Sequence, residues 1–62
     1  MVFRRSIYVV RDVGPGETFT DQNVRIIRPG YGLAPREMPN VIGRKARHAL
    51  SRGTALTWDA VE

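Results

Sequence analysis

Apolar residues come in short bursts along this chain, and none extends into the multi-turn periodicity of a long helix. Ser6-Ile7-Tyr8-Val9-Val10 is β-branched and aromatic and predicts a strand, which Arg11-Asp12-Val13 continues by alternation. Gly14-Pro15-Gly16 is a turn, because proline presets one φ and glycine accepts a positive one. Phe19 then stands alone before Thr20-Asp21-Gln22-Asn23, a run with room for one helical turn capped by Thr20. Val24 to Arg28 reads as a second strand, with Ile26 on one face and Arg25 and Ile27 on the other. Ile27 interrupts strict alternation, which suggests packing on both faces or a twist near the strand end. Pro29-Gly30 stops that strand, and Tyr31-Gly32-Leu33-Ala34 is a loop.

The second half follows the same plan. Pro35 to Met38 predicts one helical turn with Pro35 in first position. Pro39 should end that turn and push Met38 toward extended geometry. Pro39-Asn40-Val41-Ile42 starts another turn, closed by Gly43 in the left-handed region, with Met38, Val41 and Ile42 sharing an apolar face. Arg44 to Leu50 alternates as a third strand, with Ala46 inward and His48 in the same phase. Ser51-Arg52-Gly53 is a turn, and Thr57 caps a short turn through Trp58-Asp59-Ala60.

Two stretches match at an offset of 37 residues: Val13, Gly16, Phe19, Thr20 and Val24 correspond to Leu50, Gly53, Leu56, Thr57 and Val61. Each copy has the same needs: a glycine for the turn, an apolar pin to the core, and a threonine oxygen for free amides. Two such units clasped about a pseudo-twofold axis would bury the six apolar members together. The expected fold is therefore mainly β, with short strands, one-turn helices and an internal repeat.

Composition narrows the chemistry. The 62 residues make one domain, which buries only about 60% of its unfolded surface and leaves little room for a deep pocket. There is no cysteine, and a single histidine, His48, cannot build a histidine-cluster metal site. No apolar run approaches a membrane span and no signal peptide opens the chain, so a cytoplasmic protein is expected. The net charge is +4, and nine of the ten basic residues are arginine. Without interleaved aromatics these are a poor nucleic-acid surface, while anionic sugars or an acidic partner remain open. The acidic residues show no spacing suited to acid–base catalysis, and Gly14-Pro15-Gly16 lacks what a phosphate loop needs. Residues 1–4 read as a linker remnant preceding a domain over 5–62, and Phe3 as either a contact to a neighbouring domain or part of a frayed terminus. Arg28 stands apart from the other basic residues. Pro29-Gly30 fixes the chain direction just after it, so its planar fork can be aimed at carboxylate or carbonyl oxygens.

Three ordered stretches then carry a family likeness. Arg28-Pro29-Gly30-Tyr31-Gly32-Leu33-Ala34-Pro35, Val41-Ile42-Gly43-Arg44-Lys45-Ala46 and Arg52-Gly53-Thr54-Ala55-Leu56-Thr57-Trp58-Asp59 resemble segments of the C-terminal antifreeze-like (SAF) domain of bacterial sialic acid synthases. The resemblance implies a β-clip fold. It also implies a longer enzyme, in which a TIM barrel condenses phosphoenolpyruvate with N-acetylmannosamine or a related sugar at a divalent metal. The SAF domain would reach over the partner subunit's barrel in a domain-swapped homodimer. There the arginine matching Arg28 would contact the sugar near its N-acetyl group, and the isolated domain, lacking cofactor and catalytic residues, would be inert. Two other functions are known on this fold. One is ice binding, as in type III antifreeze proteins of fish, but the first repeat carries Arg11, Asp12, Glu17, Asp21 and Gln22, too charged for an ice-binding face. The other is the generic SAF role in sugar-acid dehydratases or in pilus and flagellar assembly.

Overall fold

A computed structural model describes residues 4–62; Phe3 lies outside the described residues. Strand β1 (Ser6–Val9) pairs antiparallel with β2 (Val24–Ile27) in the register Ser6↔Ile27, Ile7↔Ile26, Tyr8↔Arg25 and Val9↔Val24. All four β1 residues are buried, because the strand is covered along both edges. On the edge away from β2, the Val9 amide donates to Thr54 O at 2.8 Å and the Leu56 amide to Ile7 O at 2.9 Å. Strand β2 has one covered face: Val24 is buried, Ile26 packs against the core, and Arg25 and Ile27 are exposed. Ile27 thus does not mark a strand buried on both sides.

The matched stretches are related in space as well as in sequence. Val13 and Leu50, equivalent positions, pair with each other, each amide donating to the other's carbonyl at 2.8 Å. Bonds on either side repeat at the same 37-residue offset. Ala46 N donates to Glu17 O as Val9 N does to Thr54 O, and Phe19 N to Arg44 O as Leu56 N does to Ile7 O. Gly16 N donates to Ala46 O and Gly53 N to Val9 O, both at 2.7 Å. These two glycines have φ of +79° and +92°, a region that costs an ordinary L-residue roughly 1–2 kcal/mol. The six expected core residues, Val13, Phe19, Val24, Leu50, Leu56 and Val61, are all buried, joined by Ile7, Val9, Val41, Ala46 and Ala60. Large members such as Phe19, Ile7 and Leu56 are fully enclosed, each contributing about 1.5–3 kcal/mol of transfer free energy.

Several local expectations are corrected. Arg44–Leu50 is not a continuous strand: Lys45 bridges Thr18, Ala46 bridges Val61 and Leu50 bridges Val13, with a bend at Arg47-His48. The segment changes partner too quickly to form a ladder. The bend also breaks the side-chain phase, so Ala46 is buried while His48 is exposed. Pro35–Glu37 forms a 3₁₀ turn that runs directly into α1 (Met38–Val41). Met38 is helical rather than extended, and Pro39 falls in the first turn of α1, where its missing amide costs nothing. Gly43, at φ +92°, follows α1 as expected, but Ile42 has turned outward and only Met38 and Val41 reach the core. Residues 21–23 form the single turn expected, closed by Asn23 N and Val24 N, which both donate to Thr20 O at 3.2 Å. There Thr20 Oγ1 accepts from Gln22 N at 3.2 Å, and buried Asn23 does more. Its Oδ1 accepts from Thr20 N at 2.8 Å and its Nδ2 donates to Thr18 O at 3.0 Å. Thr57 precedes the 3₁₀ turn Trp58–Ala60 without capping it; its hydroxyl donates to the Asp59 carboxylate instead.

Candidate functional site

The twofold pattern breaks where the chain crosses from one half to the other, and Arg28 stands at that break. Phe19 O accepts from Gly43 N at 2.9 Å, but the equivalent acceptor, Leu56 O, is taken by Leu33 N at 2.8 Å. Leu33 O in turn accepts from Ile7 N at 3.0 Å. The crossing loop therefore lies directly on β1 and on the second half's core loop. Glycine is required at position 32 for this approach. A Cβ there would meet Ile7 O at 2.7 Å, Leu56 O at 2.8 Å and Leu56 N at 2.9 Å.

Ser6 holds the other end of the loop. Its side chain is buried, with 1% of the residue exposed. Its Oγ donates to Pro29 O at 3.0 Å and accepts from Gly32 N at 3.1 Å. One hydroxyl thus satisfies two backbone groups of the Pro29–Gly32 stretch, which follows a cis Arg28–Pro29 bond. The sequence reading placed Ser6 only as the head of a strand. Its partners lie 23 and 26 residues away, and no local pattern announces them.

Arg28 itself emerges exposed just past β2, next to the exposed Ile27 (40%) and three residues before the exposed Tyr31 (68%). Among the described residues the single ion pair is Arg36–Glu37, at 3.9 Å, so no carboxylate neutralises Arg28. A charged fork with free donors, on a backbone tied down immediately after it, is an arrangement for recognising an external acceptor. Beside the Gly30–Gly32 part of the loop is a cleft of about 490 Å³, lined by Arg4, Arg5, Gly30, Gly32, Ala34, Pro35 and Arg36. Arg28 does not line it. Arg4 and Arg5, which the sequence suggested only as a charged approach to β1, are brought to this cleft by the fold.

His48 shares no such arrangement. Its Nδ1 lies 3.2 Å from Ala49 O on an exposed bend. Among the described residues no three His, Asp or Glu side chains converge where they could hold a metal. The titration of the Asp59 carboxyl is displaced. The Thr57 hydroxyl holds its pKa below the ordinary aspartate range, aided by its own backbone amide and by the charges of His48 and Arg47, against a desolvation that acts the other way.

The family model for the SAF domain matches residues 4–62. The chain belongs to the SAF domain family. Relatives of this SAF domain include the pseudaminic acid synthase of Helicobacter pylori, 37% identical over 60 residues, which are 97% of this chain and 18% of that enzyme. The N,N'-diacetyllegionaminic acid synthase of Legionella pneumophila is 39% identical over 59 residues, 95% of this chain and 17% of that enzyme. Among solved structures, the spore coat polysaccharide biosynthesis protein SpsE of Bacillus subtilis superposes with a TM-score of 0.84 at 25% identity, over 94% of this chain and 17% of that one. The SAF domain thus spans less than a fifth of the length of these relatives. The mainly β, β-clip architecture with one-turn helices is the observed one. Among the described residues no helix is long and apolar enough to cross a membrane.

Proposed function

We propose that this SAF domain is the substrate-capping part of a synthase of the sialic acid class, one that condenses phosphoenolpyruvate with N-acetylmannosamine or a related amino sugar. The chemistry takes place in a TIM-barrel domain outside this chain. The divalent metal belongs there too. The domain closes over the barrel of the partner subunit in a domain-swapped homodimer and contributes Arg28 to the sugar pocket. By itself it is catalytically inert.

The observation that carries this reading is the mounting of Arg28. A guanidinium that is exposed and, among the described residues, has no counter-ion stands at the end of β2, and the backbone after it is locked by Ser6, Ile7 and Leu56. With that backbone already held, meeting an acceptor from another chain orders only the side chain and not the loop that carries it. The similarity to synthases of pseudaminic and diacetyllegionaminic acids supports an amino-sugar substrate. Oxygens of such a substrate, an N-acetyl carbonyl above all, suit the bidentate fork.

The test is Arg28→Ala in the full-length enzyme. Losing a charge-assisted hydrogen bond should cost about 1.5–3 kcal/mol in kcat/KM for the sugar, with phosphoenolpyruvate KM little changed. Unaltered sugar kinetics in a folded dimer would exclude the assignment.

A further inference from the structure

The arginine-lined cleft does not include Arg28 and shares only the loop residues Gly30 and Gly32 with the mounting of Arg28. We propose that it is an oxyanion site, which takes the phosphate or carboxylate group of a small molecule. Three of its seven lining residues, Arg4, Arg5 and Arg36, are arginines, and none is acidic. The other four, Gly30, Gly32, Ala34 and Pro35, have short side chains or none, so a ligand can approach the backbone closely. Like charges gathered around one concavity repel one another, and an anion between them relieves that repulsion. Each guanidinium can also meet an oxyanion bidentately.

Two features make this more than a basic surface. The first is the close packing of one wall. A Cβ on Gly30 would lie 2.6 Å from Arg4 Cβ and 3.0 Å from Arg4 O, so the Arg4 backbone is seated on the loop that Ser6 anchors. The second is the weak local neutralisation. The nearest carboxylate, Glu37, stands 3.9 Å from Arg36 Nε and also accepts a hydrogen bond from Asn40 Nδ2 at 3.0 Å. The Arg36 side chain remains 86% exposed and free to turn its fork into the cleft. A volume of about 490 Å³ falls within the roughly 300–1,000 Å³ of small-molecule sites, which favours a discrete ligand over the side of an acidic protein.

The test is an NMR titration of backbone amides in this chain with inorganic phosphate and, separately, with malonate, at ionic strength held constant with chloride. Saturable shifts should be confined to Arg4, Arg5, Gly30, Gly32 and Arg36. Arg5→Ala and Arg36→Ala should each weaken binding about tenfold or more. Arg11→Ala, which removes the same charge from an exposed position elsewhere, should not. Tighter phosphate binding identifies a phosphate ester as the ligand group, and tighter malonate binding identifies a carboxylate. Should Arg5→Ala lose its amide dispersion, Arg36→Gln on the exposed 3₁₀ turn carries the comparison. The proposal fails if neither probe produces saturable shifts, if they spread over the whole basic surface, or if Arg11→Ala weakens binding as much as Arg36→Ala.

Discussion

Replacing Gly32 with alanine separates steric approach from backbone conformation. The added methyl carbon would lie 2.7–2.9 Å from three backbone atoms of Ile7 and Leu56, none of which can rotate away. The loop must lift, and three hydrogen bonds strain together: Leu33 N to Leu56 O, Ile7 N to Leu33 O, and Gly32 N to Ser6 Oγ. Each is worth a net ~0.5–1.5 kcal/mol and more if a buried partner is left unpaired, so the expected loss is about 2–4 kcal/mol. A domain of this length is stable by only about 3–9 kcal/mol, so the variant should sit near the edge of folding. Gly53→Ala is the control. Its backbone has φ +92°, but nothing lies within 4 Å of the new methyl, so it should cost only the roughly 1–2 kcal/mol of the left-handed conformation. Urea unfolding followed by circular dichroism reads both. If Gly32→Ala proves no more damaging than Gly53→Ala, the loop is not held against β1 as described.

Ser6→Ala removes the hydroxyl that satisfies Pro29 O and Gly32 N and should destabilise the domain by about 1–3 kcal/mol in the same assay; under the proposed capping role it should also raise the sugar KM of the full-length enzyme, although Ser6 is not itself assigned a contact with the sugar. The folded-state pKa of Asp59 is lowered, so its contribution to stability is present above the unfolded aspartate pKa and is lost as pH falls through the folded one. Melting temperatures followed from neutral pH into the acid range should therefore fall less steeply for Asp59→Asn than for the wild type, by a small margin because the group is fully exposed. Thermal hysteresis should be absent, since Arg11, Asp12, Glu17, Asp21 and Gln22 are all exposed on the first repeat; clear hysteresis would favour ice binding over the capping role.

What was legible in the sequence is what each residue needs from its immediate neighbours. The turn glycines, the apolar pins and the stop after β2 are local requirements, and the 37-residue repeat made them readable twice. That is why the six core residues, the short strands and the mainly β class could be stated from the chain alone, and why Arg28 stood out before a proline-glycine break. Only the tertiary structure decided how the halves meet. The Val13–Leu50 pairing, the broken strand at Arg44–Leu50 and the outward turn of His48 and Ile42 depend on which distant segment lies alongside. The same is true of the site. Ser6 acts on residues 23 and 26 positions away, and Arg4, Arg5 and Arg36 converge only because the crossing loop is folded back onto β1. A sequence records which groups could form a bond, but the partner for a hydroxyl or a guanidinium is chosen by the packing of chain far from it.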